Sequence, residues 1–505
     1  MRRADNGGIR GMELTVKELT EATDGRLLFG NEALLVRGIG LNSRQIKAGD
    51  LFVPVIGARV DAHRFLAQAF TAGAVCAFTS AHQTKEDVLS GADSKLTEVL
   101  SKKDCALIAV DDTVEALQRL GAYYRSHYVK IPLIAVTGSV GKTTTRELIA
   151  CALSASSKVF ATKGNANSQV GVPVTMTEIG REYEIGVIEL GMSEFGEMTR
   201  ISKVAMPDCA VISNIGISHI NQLKTQENIL REKLHILDGM PDGAVLFLNG
   251  DDPLLCGLSE EKLHEMGYAK GKHVKVYFYG LGKNCAVRAG NISSLNGFPA
   301  FDAVFEQFPK TGTRRCHVQL SVMGMHMVQN ALAALAVAGF YNVELEKAAA
   351  KLASFSDLAG RGARFTKDGI TVIDDSYNAA PASMKAGISV LLDLPSKRHI
   401  AVLADMLELG ENEAAYHREV GAFLGGHAEK LDRLYLYGPL SAQIAVGMGK
   451  EKPKEGIQQY SHLGELCAAL KKELRPGDAC LFKGSNGMEL SIVIETLFPK
   501  SERVQ

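Results

Sequence analysis

The sequence predicts an α/β protein built from three domains. A length of 505 residues with 46% apolar content is enough to form several hydrophobic cores. Strand-like and helix-like segments alternate from Ile131 onward, and the alternation starts again near Asp357 after an interruption. We therefore expect a small α/β N-terminal domain over residues 12–130, a central parallel-sheet domain over residues 131–356 and a C-terminal doubly wound domain over residues 357–505.

The first region mixes short strands and helices. Apolar spacing predicts helices over Val16–Ala22 and Phe65–Ala72 and a buried strand over Leu51–Val55. Ser43 and Arg44 stand on a loop before that strand. A hydroxyl beside a guanidinium can hold a phosphate or the edge of a uracil ring, although such a pair is more often a solvated turn.

The central region begins as a parallel sheet. The predicted strands are Leu133–Thr137, Ile185–Leu190, Cys209–Asn214 and Ala244–Leu248. Ligands of open parallel sheets bind at the carboxyl ends of the strands. Thr143, Glu189 and His219 stand at or just past three of these ends, so we expect the functional site there.

After Gly271 the pattern changes to segments that we expect to be antiparallel. These predicted strands are Val274–Tyr279, Cys285–Ala289, Ala303–Gln307 and His317–Val322. A strongly apolar helix, Val328–Phe340, is expected to close the region.

The third region repeats the alternation and predicts a second doubly wound, Rossmann-like sheet. Its predicted strands are Ile370–Asp374, His399–Leu403, Leu434–Tyr437 and Ala479–Lys483, and its predicted helices are Ala382–Leu392, Glu413–Leu424, Leu463–Leu474 and Glu489–Leu497.

The segment from Ile134 to Thr145 reads Ile-Ala-Val-Thr-Gly-Ser-Val-Gly-Lys-Thr-Thr-Thr and is typical of a P-loop. A buried strand that enters a helix through a glycine turn directs several backbone N–H groups at one point, which suits the phosphates of ATP. The predicted ATP-binding residues are Gly138, Ser139, Val140, Gly141, Lys142, Thr143 and Thr144. Lys142 is expected to reach the outer phosphates and Thr143 to ligate Mg²⁺. The spacing departs from the common loop, since Val136 stands where the first glycine is expected.

A magnesium site is predicted beside this loop. Glu189 and His219 follow neighbouring strands, and together with Thr143 they would surround a cation bound to phosphates. Lys233 lies on the edge of the apolar face of a predicted helix over Thr225–Leu237, whereas Glu232 is expected to lie outside that face. A half-buried lysine amine near a metal can react with carbon dioxide to give a metal-binding carbamate.

Charge and cysteine content argue against several other classes. With 56 basic and 57 acidic residues the net charge is −1, so no overall field recruits nucleic acid. Nine cysteines without a C-x-x-C pair are typical of reduced thiols rather than disulfides or structural zinc. The longest apolar run, Ala331–Tyr341, is too short for membrane insertion. We therefore expect a soluble, cytoplasmic protein.

Several motifs together resemble the ATP-dependent Mur ligases of peptidoglycan synthesis. They are Thr137–Thr145, Glu189-Leu-Gly-Met, Asn214–His219, Glu232-Lys233, Gly164–Pro173, Gly360-Arg361 and Asp374–Met384. The similarity runs from about Glu13 to the end of the chain, and its most specific part is Asp374-Asp-Ser-Tyr-Asn378. Within the family the motifs are similar to those of the members that add D-alanyl-D-alanine to UDP-N-acetylmuramoyl-tripeptide.

The resemblance implies an activity and a role for each domain. The N-terminal domain would bind the UDP-sugar, the central domain ATP, and the C-terminal domain would close over the nucleotide and bring the dipeptide. The tripeptide carboxylate would attack the γ-phosphate of ATP to give an acyl phosphate, which the amine of D-alanyl-D-alanine would then attack. ATP and two Mg²⁺ sites are expected, with Lys233 as an N6-carboxylated ligand, and the protein is expected to be monomeric.

The resemblance also implies roles for individual residues. Lys142, Glu189, His219, Lys233 and Arg361 would be catalytic, with Thr143, Glu189, His219 and Lys233 as metal ligands. Asn330 would contact adenine, Arg361 the γ-phosphate and Asp375 the ribose. Ser43 and Arg44 would hold the UDP moiety, and Asn165 and Asn167 the UDP-sugar or the transferring phosphate. The dipeptide candidates, from their location alone, are Tyr377, Asn378, Lys483, Gly484 and Ser485.

Two other functions remain open at this point. One is a related amide ligase with a different acceptor, of the MurE or folylpolyglutamate type, although the Asp-Asn-Pro-Arg signature of MurE-type enzymes is missing from the sequence. The other is a P-loop switch that hydrolyses ATP without ligation, which would leave the first and last domains without an obvious purpose.

Overall fold

Three large β-sheets and one two-stranded ribbon organise the chain in the computed structural model. The structure describes residues 11–57, 59–90, 94–102, 104–309, 311–499 and 501. The predicted end of the C-terminal domain at residue 505 therefore lies outside the described residues. No helix in these ranges is both long and apolar enough to cross a bilayer.

The N-terminal sheet has five strands in the order β2-β7-β6-β5-β4, and β1 pairs with β3 in the ribbon. The strands are β1 Leu14–Thr15, β2 Arg26–Phe29, β3 Leu35–Val36, β4 Gly38–Gly40, β5 Asp50–Phe52, β6 Cys76–Thr79 and β7 Ala106–Ala109, and the helices are α1 Val16–Ala22, α2 Leu66–Ala72, α3 Lys85–Ser90, α4 Ser94–Lys102 and α5 Thr113–His127. The two helices predicted here are confirmed, and the predicted strand is shorter than expected. Thr15 begins α1 with a capping box to Glu18.

The central sheet has nine strands in the order β16-β15-β14-β13-β12-β11-β8-β10-β9. The strands are β8 Leu133–Thr137, β9 Val159–Ala161, β10 Ile185–Glu189, β11 Cys209–Ile212, β12 Ala244–Asn249, β13 Val274–Gly280, β14 Val287–Leu295, β15 Phe298–Phe308 and β16 Gly312–Gln319. The helices are α6 Lys142–Leu153, α7 Gly171–Glu178, α8 Glu197–Ala205, α9 Ile220–Leu223, α10 Gln226–Leu234, α11 Glu260–Glu265, α12 His326–Phe340 and α13 Leu345–Ala353. The four predicted parallel strands are confirmed, and β8 has the predicted bounds.

The prediction that Val274–Tyr279 is antiparallel was wrong. This segment, β13, runs parallel to β12 and to β14, and antiparallel pairing begins only between β14 and β15. The physical reason is the connection, because α11 lies between β12 and β13 and returns the chain to the same end of the sheet. The strands predicted over Cys285–Ala289 and His317–Val322 are observed as the longer β14 and the displaced β16.

The C-terminal sheet has six strands in the order β17-β18-β22-β19-β20-β21, with only β17 antiparallel among the described strands. The strands are β17 Ala363–Lys367, β18 Ile370–Asp375, β19 Arg398–Ala404, β20 Arg433–Tyr437, β21 Ile457–Tyr460 and β22 Asp478–Lys483, and the helices are α14 Pro381–Leu392, α15 Glu413–Gly425, α16 Ala442–Met448, α17 Leu463–Glu473 and α18 Leu490–Leu497. All four predicted strands and all four predicted helices are present within two residues of their expected ends.

One continuous core joins the N-terminal and central sheets. It includes Leu120 on α5, Val172 on α7 and Ile201 on α8, all fully buried. The Arg125 guanidinium strengthens the junction, since it donates to Ala205 O at 3.0 Å and to Asp208 Oδ2 at 3.1 Å. The C-terminal domain has a core on each face of its sheet, and one of them includes Met323 of the central domain.

Candidate active site

A cavity of about 670 Å³ lies between the carboxyl ends of the central strands and the C-terminal domain. Its walls include the loop after β8, the ends of β10 and β11, the start of α12 and the segment around Arg361. Most of the predicted site residues line it: Ser139, Val140, Gly141, Lys142, Thr143, Thr144, Asn165, Asn167, Glu189, His219, Asn330, Arg361, Asp375, Tyr377, Asn378 and Lys483. The topology therefore brings together residues that the sequence disperses.

The loop from Gly138 to Gly141 has a shape that depends on glycine. Gly138 has φ +150° and Gly141 has φ +81°, and a Cβ atom on Gly138 would stand 2.0 Å from Ser213 Oγ. Asn214 holds the loop from below, because its side-chain oxygen accepts from Val140 N at 2.9 Å and its amide donates to Val140 O at 2.8 Å. Sequence reasoning did not assign Asn214 a role.

Lys142 begins α6 and folds back over the loop. Its ammonium donates to Gly138 O at 2.8 Å and to Ser139 O at 3.4 Å. Burial lowers its pKa, Glu189 opposes that shift, and Arg361 adds to it by repulsion. The lysine is thus a half-buried cation that donates to neutral carbonyls beside one carboxylate, which is a suitable state for receiving an anion.

Glu189, at the end of β10, is held by three side chains and is 1% exposed. It accepts from Thr143 Oγ1 at 2.9 Å and from Asn167 Nδ2 at 2.6 Å. Arg146 Nη1 donates to the same carboxylate at 3.1 Å and to Gly164 O at 3.0 Å. Arg146 therefore ties α6, β10 and the loop before α7 together.

Arg146 was missed by sequence reasoning. It stands one turn after Lys142 on α6, where a charged side chain is usually solvated. Its spacing of four residues from Lys142 was the available signal, because it places both side chains on one face of the helix.

Lys233 and His219 form the far side of the cation-rich region. Lys233 is 2% exposed, and burial, followed by repulsion from Lys142, lowers its pKa well below the usual range. Burial and these two lysines also lower the pKa of His219. His219 has φ +63°, and its Nδ1 is buried without a hydrogen bond in the part of the chain described.

The expectation that Glu232 lies outside the apolar face was wrong. Glu232 is 3% exposed and accepts from Gly196 N at 3.0 Å and from Met198 N at 2.9 Å. A carboxylate at the start of α8 satisfies N–H groups that have no partner within the helix, which explains its burial. The predicted helix also ends at Leu234, since the following turn is a 3₁₀ helix.

The remaining residues from the central and C-terminal domains face the cavity in two groups. Asn330 lies beneath the loop and accepts from Thr145 Oγ1 at 3.2 Å. In the C-terminal domain, Lys483 Nζ donates to Asp375 Oδ2 at 2.5 Å and to Asn378 O at 3.1 Å. Burial raises the pKa of Asp375 despite that partner.

The Arg361 guanidinium lies 4.0 Å from the centre of the Tyr377 ring. This stacking holds the positively charged guanidinium of Arg361 on the C-terminal side of the cavity.

Six predicted residues do not line this cavity: Gly138 and Lys233, described above, and the four that follow. Gly484 packs on Ala404, and Ser485 Oγ accepts from Leu407 N at 2.9 Å. Ser43 and Arg44 lie in the N-terminal domain, where Ser43 Oγ donates to Gln68 Oε1 at 3.3 Å and Arg44 is exposed. Their assignments to the dipeptide and to UDP stay predictions.

The metal ligands that were predicted are only partly assembled. Thr143 touches Glu189, but the described residues contain no group of three or more His, Cys, Asp or Glu side chains close enough to hold an ion. The polar groups at this site suit an anion better than a metal ion. Ser139 Oγ and His219 Nδ1 are buried without hydrogen bonds within the described ranges, and lysines lie beside them.

Comparison with known proteins decides the family. Three family models match successive parts of the chain: the Mur ligase family catalytic domain over residues 35–125, the Mur ligase middle domain over 136–338 and the Mur ligase glutamate ligase domain over 360–486. The UDP-N-acetylmuramoyl-tripeptide–D-alanyl-D-alanine ligase of Bacillus subtilis is 33% identical over 489 residues, which are 96% of this chain and 98% of that protein. The chain belongs to the Mur ligase family.

Other relatives extend the similarity. The ligase of the same name from Synechocystis is 31% identical and covers 93% of this chain and 94% of its own length. MurF from Acinetobacter baumannii superposes with a TM-score of 0.81 at 28% identity, covering 97% of this chain and all of that one. MurF from Thermotoga maritima in complex with ADP gives 0.73 at 26% identity, with 92% and 97% covered. This Mur ligase is an ATP-dependent ligase with the three-domain α/β architecture.

Proposed function

We propose that this Mur ligase joins the amino group of D-alanyl-D-alanine to the terminal carboxylate of UDP-N-acetylmuramoyl-tripeptide with the hydrolysis of ATP. The observation that carries the proposal is the cavity, where the P-loop lysine Lys142 and Arg361 of the C-terminal domain converge. The relatives from Bacillus subtilis and Synechocystis bear the name of this activity, and the chain matches nearly their full length.

The cation cluster supports binding of the triphosphate across the two domains. Lys142 and Arg361 both line the cavity, and burial, followed by the charge of Arg361, lowers the pKa of Lys142 while Glu189 opposes the shift. An incoming polyphosphate removes that repulsion and replaces the carbonyl partners of Lys142. Backbone N–H groups at the start of α6 would complete the phosphate site.

Two displacements then complete the reaction. An oxygen of the tripeptide carboxylate attacks the γ-phosphorus, the bond to ADP breaks, and an acyl phosphate forms. The dipeptide amine attacks the acyl carbon, phosphate leaves, and the nitrogen gives up a proton to solvent. Because a free carboxylate has no good leaving group, activation by ATP is what makes amide formation feasible.

We place magnesium at the carboxylate and imidazole that face the P-loop. Thr143, Glu189 and His219 would hold Mg²⁺ ions, with Lys233 contributing as an N6-carboxylated side chain, and Mg²⁺ when bound would neutralise charge on the phosphates. The lowered pKa of Lys233 supports this modification, because the neutral amine is the form that reacts with carbon dioxide.

The remaining assignments complete the proposal. Domain boundaries after residues 130 and 356 fall between the three sheets, which supports them. We assign the sugar nucleotide to the N-terminal domain through Ser43 and Arg44, and to Asn165 and Asn167 at the cavity. We also infer a cytoplasmic monomer.

The deciding experiment measures ADP release by the full-length protein. We expect release with ATP, UDP-N-acetylmuramoyl-tripeptide and D-alanyl-D-alanine together and almost none when either acceptor is left out. Release that ignores the dipeptide would instead indicate a different acceptor or simple ATP hydrolysis.

A further inference from the structure

The incoming amine needs an anionic partner at the cavity, because an α-ammonium group is cationic at neutral pH. Five acidic side chains line the cavity. They are Glu189, Glu197, Asp252, Asp357 and Asp375. The question is which acidic group near the reacting atoms is free to receive a cation.

Each of these five already has partners within the protein. Glu189 is held by Thr143, Arg146 and Asn167, and Asp375 by Lys483. The other three accept from backbone N–H groups. These bonds come from Ser193 and Glu194 to Glu197, from Ile215, Leu254 and Leu255 to Asp252, and from Arg364 to Asp357. The lining carboxylates are therefore committed to the fold.

Glu408 is a sixth acid, which stands next to the cavity without being one of its lining residues. It belongs to the C-terminal domain, and its carboxylate lies 3.3 Å from Nδ1 of His219, which does line the cavity. That nitrogen is buried without a hydrogen bond in the described structure, so the contact is one of proximity only. The Glu408 side chain is 61% exposed and makes no hydrogen bond to any other described residue.

The loop that carries Glu408 is fixed by several hydrogen bonds. Met406 N donates to His417 Nε2 at 2.9 Å, and the fully buried His417 ring donates from Nδ1 to Glu413 O at 2.7 Å. Leu407 N donates to Ser485 Oγ, as described above. Glu408 itself has φ +63°, a strained value that persists only where the surroundings impose it. The backbone that carries this carboxylate is thus held in place before any substrate arrives.

The next residues of this loop touch the central domain. Gly410 packs against Asn221 of α9, where a Cβ atom would make ordinary van der Waals contact, 3.4 Å from Asn221 Cα. Glu408 therefore lies at the contact between the central and C-terminal domains. Under the proposed function, one of these domains supplies the acyl group and the other the amine.

We propose that Glu408 binds the ammonium group of the incoming dipeptide beside the acyl phosphate. The group then loses one proton to solvent to become the attacking amine, and the nitrogen loses a second proton as the amide forms. This inference rests on the proposed function. Glu408 would contact substrate directly, while His417 and Ser485 are positioning residues that act through the loop. The arrangement separates charges by domain, since the central cations receive phosphates and a C-terminal anion receives the amine.

The first test is steady-state kinetics of Glu408→Gln in the full-length enzyme. Loss of a charged hydrogen bond predicts a KM for D-alanyl-D-alanine that rises about tenfold to a hundredfold, with the KM values for ATP and the sugar nucleotide unchanged. Glu408→Asp, which keeps the charge, should recover part of the loss. Glu411→Gln is the matched control, because Glu411 is an exposed acid on the same loop.

The second test uses propionyl-D-alanine, the dipeptide without its amino group, as a competitive inhibitor. Its inhibition constant should be the same for the wild type and Glu408→Gln, because it offers no ammonium. The proposal would be overturned if Glu408→Gln weakened inhibition by this analogue, or raised the KM for ATP, by the same factor as it raises the KM for D-alanyl-D-alanine. A changed Mg²⁺ requirement would overturn it as well. Glu408 would then be a domain contact or a metal group.

The outcomes also separate the two proposals. A wild-type enzyme that does not use D-alanyl-D-alanine would refute the proposed function. A working wild type together with an unchanged dipeptide KM in Glu408→Gln would refute only the ammonium site. Circular dichroism and the thermal midpoint of each variant establish that it is folded.

Discussion

The central and C-terminal domains both place charged residues at the carboxyl ends of a parallel sheet, but they balance those charges differently. At the central edge, the half-buried Lys142 and the buried Lys233 both have a lowered pKa, and neither forms an ion pair with a described carboxylate. At the C-terminal edge, Lys483 is neutralised by Asp375. The same architecture thus yields one edge that attracts phosphate and another whose charge is largely satisfied internally.

The largest expected effect follows from removing the cation of the P-loop. Lys142→Ala should lower the rate of ligation by roughly 10²–10³-fold or more, since charge on the transferring phosphoryl group would lose a preorganised partner. ADP release in the presence of both acceptors measures it. Lys203→Ala, at an exposed position of α8, should retain full activity; normal turnover of Lys142→Ala would refute the P-loop assignment.

Lys233 tests whether the second cation acts as a lysine or as its carbamate. Lys233→Ala should be nearly inactive and should recover part of its activity when short-chain carboxylic acids are added. A carbamate carbon signal from ¹³C-labelled bicarbonate in the wild type, absent from the variant, provides an independent measurement. Full activity of the variant without added acid would contradict the assignment.

Arg146 tests how strongly the central edge depends on one ion pair. Arg146→Met would leave Glu189 buried with only neutral partners, and removing one member of a buried pair costs about 3–5 kcal/mol. We expect the unfolding transition of the central domain in urea to shift to lower denaturant. Arg231→Met, an exposed arginine on α10, is the control and should leave the midpoint unchanged.

The smallest expected effect concerns His326 at the start of α12, on the boundary between the two edges. The ring is solvent-exposed on the cavity wall, but the protein atoms around it, followed by the charge of Lys483, lower its pKa from 6.5 to about 4. As the pH falls, the histidine of the unfolded chain binds a proton near pH 6.5, whereas the folded protein binds it only near pH 4. The free energy of unfolding therefore decreases as the pH falls from 6.5 to about 4, and this group has no effect above that range.

An NMR titration measures this directly, with His326→Gln used to assign the ring signal. A midpoint near the ordinary histidine value would mean that neither the surrounding protein atoms nor Lys483 lowers its pKa.

The sequence predicted most of the sheets because their strands are buried on both faces and form uninterrupted apolar runs, as in β8 and β22. Short or half-exposed elements such as β9, β21 and α16 were not predicted, since a few residues carry little periodicity. The direction of β13 could not be predicted from its own residues either, because it depends on the crossover connection that precedes it.

Local motifs likewise predicted the residues of the P-loop, but not the residues whose hydrogen bonds hold the loop and Glu189 in place. Asn214 and Arg146 act through contacts between segments far apart in the chain, and a charged residue on a helix has no local sign of burial. Glu408 faces His219 only because two domains meet, so its position depends on tertiary structure alone.

The continuous core around Leu120 and the Arg125 clamp have a consequence for how the enzyme comes apart. Two of its three sheets share apolar contacts that cannot be lost separately, so calorimetry should resolve two melting units rather than three. The covalent link between these two units is the stretch between α13 and β17.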